Sequence, residues 1–124
     1  MKRIILLAFL CTTTLVMAQR INHVQEAIAN YDYEAALTLI AKEKPTIPLL
    51  LQKGKAQRGL GMNTEALSTY QEIITNDTTN TRAYIEAAEC CRSLAKYQQA
   101  LKYYEQALDL NPENKYVRIQ YIGL

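Results

Sequence analysis

Small and apolar side chains recur along this chain at helical intervals. Leu50, Gly54 and Gln57 stand at i, i+4 and i+7, and Tyr84, Ala88 and Cys91 repeat that spacing. Ala66, Tyr70 and Ile73 follow the same rule, as do Ala100, Tyr104 and Ala107. Such spacing lines residues up on one face of an α-helix. The pattern predicts four amphipathic helices of roughly a dozen residues each. Residues 59–63 break the first pair and 94–96 join the second, with Asn63 expected as the N-cap of the helix that follows it.

The helices come as a repeat. Residues 47–80 align without a gap on residues 81–114, a shift of 34. The six identities are Arg58/Arg92, Leu60/Leu94, Ala66/Ala100, Leu67/Leu101, Tyr70/Tyr104 and Asn80/Asn114. Gly54 inside a helix costs about 1 kcal/mol relative to alanine, and close approach of a neighbouring helix is the natural compensation. Ala66, Ala88, Ala100 and Ala107 serve the same end, while Tyr70, Tyr84 and Tyr104 fill the space between units. Pro112 suits the turn out of the last pair. One hairpin of this kind cannot bury its apolar face alone, whereas stacked neighbours can, so the expected class is all-α.

An earlier unit shows in residues 33–37, Tyr-Glu-Ala-Ala-Leu, which parallel 97–101. Ala36 precedes Ala66 by only 30 residues, and Pro45 and Pro48 crowd the junction. Residues 20–44 are therefore read as a degenerate first unit with a shortened second helix. Residues 115–124 begin a further first helix.

These features resemble the tetratricopeptide repeat family. Tyr84, Ala88, Ala100, Tyr104, Ala107 and Pro112 match its pattern at its spacing. In the preceding unit Gly54, Ala66 and Tyr70 fit, while Lys53, Ile73 and Thr78 depart. The resemblance implies a short right-handed α-solenoid whose first helices line a concave face where peptides or partner helices dock. Carried over, that face holds Leu51, Lys55 and Arg58, then Arg82, Ile85, Glu86, Glu89 and Arg92. The plain alternative is that these charges are ordinary solvated helix faces. The lysine–asparagine clamp by which some family members hold a terminal carboxylate is absent. Its places carry Leu51 and Lys55, then Ile85 and Glu89, which disfavours that mode.

The front of the chain has a different composition. Met1-Lys2-Arg3 is a basic start, Ile4 to Leu10 is unbroken apolar sequence, and Leu15-Val16-Met17-Ala18 precedes Gln19. Residues 1–18 read as a secretory signal cut after Ala18, leaving 19–124 as a secreted or periplasmic array. The alternative is an uncleaved signal that anchors the protein. The run from Ile4 to Ala18 is 15 residues, against the roughly 20 that a span requires, and no other span is expected once the signal is gone. Phe9-Leu10 ahead of Cys11 are too bulky for a lipid-attachment motif.

Without the leader, the formal charge of +2 falls to zero, with 12 basic and 12 acidic residues. Such balance gives no general attraction to nucleic acid. Cys90 and Cys91 are adjacent and support neither a disulfide framework nor a metal site. One of them is expected to be buried as a small hydrophobe, with a strained vicinal disulfide as the alternative.

Catalysis finds little support. His23 is the single histidine, Gly59 and Gly61 belong to a turn rather than a phosphate loop, and Glu86 and Glu89 are a carboxylate pair on one helix face. No cofactor is expected. The reading is a non-catalytic scaffold that binds a protein or peptide. The alternative is the front part of a longer exported or envelope protein whose specific activity lies in a further C-terminal domain. Val117, Ile119, Tyr121, Ile122 and Leu124 leave the last segment apolar, so weak self-association through it is expected.

Overall fold

The computed structural model describes residues 2–124, so Met1 of the expected leader lies outside the described residues. Seven helices follow one another among them: α1 (Lys2–Ala29), α2 (Tyr33–Ala41), α3 (Ile47–Gly59), α4 (Asn63–Asn76), α5 (Thr81–Ser93), α6 (Tyr97–Leu110) and α7 (Lys115–Ile122). Each packs on the next, and α1 also reaches α3. The first unit is thus α1 with α2, the second α3 with α4, and the third α5 with α6.

The helix boundaries follow local chemistry. Asp32, Thr46, Asn80 and Asn114 each accept a hydrogen bond from the backbone N–H three residues on, satisfying a donor that the first turn leaves free. The identity Asn80/Asn114 is therefore a repeated N-cap. Asn63 departs from expectation. It is the first helical residue of α4, Met62 holds the cap position, and no side chain caps this helix. Hydrophobic spacing locates a helix end only to within a residue or two.

The turns inside the three units share one device. Tyr31, Gly61 and Ala95 all adopt positive φ, at 60°, 74° and 57°. Each reverses the chain after a first helix, and only Gly61 does so without a side-chain penalty.

Two apolar clusters hold the array. Val24, Ile28, Ala36, Ile40, Leu49 and Ala56 join the first unit to the second. The larger cluster runs from Leu50 through Tyr70, Ile73, Tyr84 and Tyr104 to Val117. The close approach expected at Gly54 is present: a Cβ there would fall inside the buried ring of Tyr70. Gly59 stands in the same relation to Tyr33. Cys90 and Cys91 are both free and both buried, where only one was expected in the core. The reason is that α5 is enclosed on more than one side, by α4 and α6 and by Arg58 of α3.

The apolar leader does not form a separate element. It continues without a break into the first repeat helix as α1, and residues 2–20 are all exposed. Every buried residue therefore lies beyond the expected cut after Ala18. The whole of α1 is long and apolar enough to cross a membrane, with a mean hydropathy of 1.9 over its best window. Signal sequences meet the same criterion, so length does not separate the cleaved reading from the anchored one.

Candidate docking face on the first helices

The eight residues singled out from the sequence fall on α3 and α5. Leu51, Lys55 and Arg58 recur at helical spacing on α3, and Arg82, Ile85, Glu86, Glu89 and Arg92 occupy α5. Leu51 and Ile85 are half-buried and pack their inner sides on the core. Arg58, Glu86, Glu89 and Arg92 are half-buried too, whereas Lys55 and Arg82 are exposed.

Most of these charges are occupied with one another. Arg58 donates to Glu86 across α3 and α5, and Arg92 donates to Gln120 across α5 and α7. Both links span 28 residues, so the same contact recurs at successive units. Burial acts against the Arg58 charge, but Glu86 beside it outweighs that effect and holds the guanidinium above its ordinary value.

Glu89 is the centre of a second group. Its Oε1 accepts from the Tyr104 hydroxyl at 2.6 Å and from the Tyr116 hydroxyl at 2.7 Å, and its Oε2 lies 3.5 Å from Arg92. Burial, together with that bond to Glu89, raises the Tyr104 phenol above its usual range. Burial likewise pushes the Cys90 thiol up to about 12, opposed in part by Arg58. A thiol so protonated is a poor nucleophile.

The unspent positive charge sits at the other end. Neither Lys55 nor Arg82 enters an ion pair among the described residues. They border a depression of about 400 Å³ together with Gln25, Ile28, Tyr31 and Tyr33. Tyr31 is 79% exposed and meets Tyr33 edge-to-face at 6.3 Å. Helical spacing drew out the α3 and α5 residues but not Tyr31, Tyr104, Tyr116 or Gln120, which arrive from other helices. One available signal was that Glu86 and Gln120 are separated by the same repeat length as Arg58 and Arg92.

Residues 81–114, which are α5, α6 and the turn after them, match the family described as Tetratricopeptide repeat. Among solved structures, the Yersinia enterocolitica type III secretion translocator chaperone SycD superposes with a TM-score of 0.82. The match covers 90% of this chain and 91% of that one at 18% identity. The fold is a short right-handed tetratricopeptide solenoid. The first TPR of Spaghetti (RPAP3), bound to the HSP90 peptide SRMEEVD, gives a TM-score of 0.80 at 20% identity, covering 86% and 87% of the two chains. PcrH in complex with the chaperone binding region of PopB gives 0.76 at 17% identity, covering 87% and 93%. Identities this low speak for the tetratricopeptide fold alone. No curated protein sequence matches the chain.

Proposed function

We propose that this chain is a non-catalytic docking module, exported by its leader, that binds a polar peptide or protein surface along α3 and α5. The observation that carries the reading is the division of charge on that face. Arg58, Glu86, Glu89 and Arg92 are held in mutual contacts that set the spacing of the first helices. Lys55 and Arg82 are left exposed beside a tyrosine pair, which suits a segment carrying carboxylates and apolar side chains.

The solenoid neighbours lend support of a general kind, since their structures include bound segments of PopB and of HSP90. Their mode of binding is not carried over, because Leu51, Lys55, Ile85 and Glu89 replace the lysine–asparagine clamp. Non-catalysis rests on the makeup of the face. Its thiol and phenols are held protonated by burial, and the one histidine, His23, is on α1 away from it.

Site-directed photocrosslinking in an exporting bacterium tests both parts. A photoreactive residue at Lys55 or Arg82 is expected to give a discrete adduct that the same residue at Lys102, on the exposed side of α6, does not. Intact-mass analysis of the same preparation is expected to place Gln19 at the N-terminus. Adducts that are equal at all three sites would remove the docking face, and a stable membrane product retaining residues 2–18 would remove the cleavage.

A further inference from the structure

The first unit is short in a particular place. Helix α2 has 9 residues, where its counterparts α4 and α6 have 14 each. Ala36, Ala66 and Ala100 are equivalent and fully buried. Seven residues further on, the later units place Ile73 and Ala107, both fully buried. The first unit has Glu43 there, beyond the end of α2, with its carboxylate 2.7 Å from Arg20. No apolar side chain therefore fills the position that Ile73 fills one unit later.

The missing turns leave a cavity of about 420 Å³ between α2 and the α3–α4 hairpin. Leu37, Ile40 and Ala41 wall it on one side, and Leu49 and Leu50 form its floor. Gln57 also lines it and is only 7% exposed. Its Oε1 accepts from the Thr69 hydroxyl at 2.7 Å, and its side-chain NH₂ has no partner among the described residues. A donor so placed calls for an acceptor, because a buried polar group left without one is costly. Lys53 and Glu72 stand at the edge and balance each other in charge.

We infer that this cavity is a second docking site, taking one leucine- or isoleucine-sized side chain from an uncharged partner segment. The aliphatic walls admit a side chain like the one the repeat has lost. Gln57 supplies the donor for the main-chain carbonyl next to that side chain. The balanced edge disfavours a strongly charged segment. Pockets of a few hundred Å³, mostly apolar with a few placed polar groups, are the usual form of such sites. The site is bordered by the second helices α2 and α4, so it stands apart from the face on α3 and α5 and does not depend on it.

The probe is N-acetyl-leucine methylamide, an aliphatic side chain between two peptide groups. It is titrated into the methyl-labelled full chain, held in lipid nanodiscs to keep the apolar start of α1 in solution. Saturable shifts are expected at the methyls of Leu37, Ile40, Leu49 and Leu50, with none at Val117. The glycine and lysine analogues are expected to give none, and Ala41→Phe, which plugs the mouth, is expected to abolish the response to leucine. No saturable shift, or an equal response to the glycine analogue, would overturn the proposal. So would concentration-dependent shifts of these methyls without probe, because a second copy would then be the occupant.

Discussion

Arg58 on α3 is ion-paired with Glu86 on α5, and one unit later Arg92 reaches Gln120 at the same separation of 28 residues. The contact tethers the first helix of each unit to the first helix of the next, along the face proposed to receive a partner. Its repetition explains why arginine stands at both Arg58 and Arg92. The two side chains of the pair are 32% and 23% exposed, so water weakens the attraction without removing it.

A double-mutant cycle of Arg58→Ala and Glu86→Ala should therefore give a favourable coupling of about 0.5–1 kcal/mol in urea melts. The coupling should shrink in high salt. A value of zero at low salt would show that the pair adds nothing to stability.

The glycines divide into two kinds. Gly54→Ala drives a Cβ into the Tyr70 ring and should cost about 1–3 kcal/mol. Gly61→Ala meets nothing within 4 Å, and its positive φ alone should cost about 1–2 kcal/mol. In a Tyr70→Leu background the Gly54→Ala penalty should largely disappear, while that of Gly61→Ala should persist. Equal penalties in both backgrounds would mean that Tyr70 is not what constrains Gly54.

Much of this fold was legible in the sequence, because a repeat of 34 residues with helical spacing leaves few other ways to bury Ala66, Tyr70, Ala100 and Tyr104. Gly54 announced a close helix contact for the same reason. The candidate face was legible only as a set of positions. Which charges pair depends on how successive units rotate, and so Arg58–Glu86 and the convergence of Tyr104 and Tyr116 on Glu89 appear only in three dimensions. The burial of both cysteines was hidden likewise, since one helical period says nothing of how many neighbours enclose α5. The shortened α2 was readable from the 30-residue spacing of Ala36 and Ala66, but the cavity it leaves was not.

Stability should fall in alkali. Burial raises Cys90 from its ordinary 9.0 to about 12, and Tyr70 and Tyr104 also titrate above their ordinary 10.0. The folded chain thus holds these protons more tightly than the unfolded chain. Their contribution is complete below pH 9 and is lost as pH rises from there through about 12. Each group adds at most about 1.4 kcal/mol per pH unit to the slope. Urea midpoints measured at stepped pH should be level near neutrality and decline above pH 9, less steeply at first in Cys90→Ala. A midpoint level to pH 11 would contradict the burial of these groups.

The last helix presents apolar surface, with Ile119 66% and Ile122 76% exposed. Covering such a side chain is worth about 1.5–3 kcal/mol, enough for weak pairing between copies. Sedimentation should show association that grows with concentration and is lost in Ile119→Lys with Ile122→Lys. A chain that stays monomeric across the range would show that this surface does not pair.

Hydrogen exchange on the photocrosslinked adduct, compared with the free chain, tests the docking account most directly. The account predicts added protection along α3 and α5 near Lys55 and Arg82, with the exposed sides of α4 and α6 unchanged. Added protection on α4 and α6, with α3 and α5 exchanging as in the free chain, would contradict it.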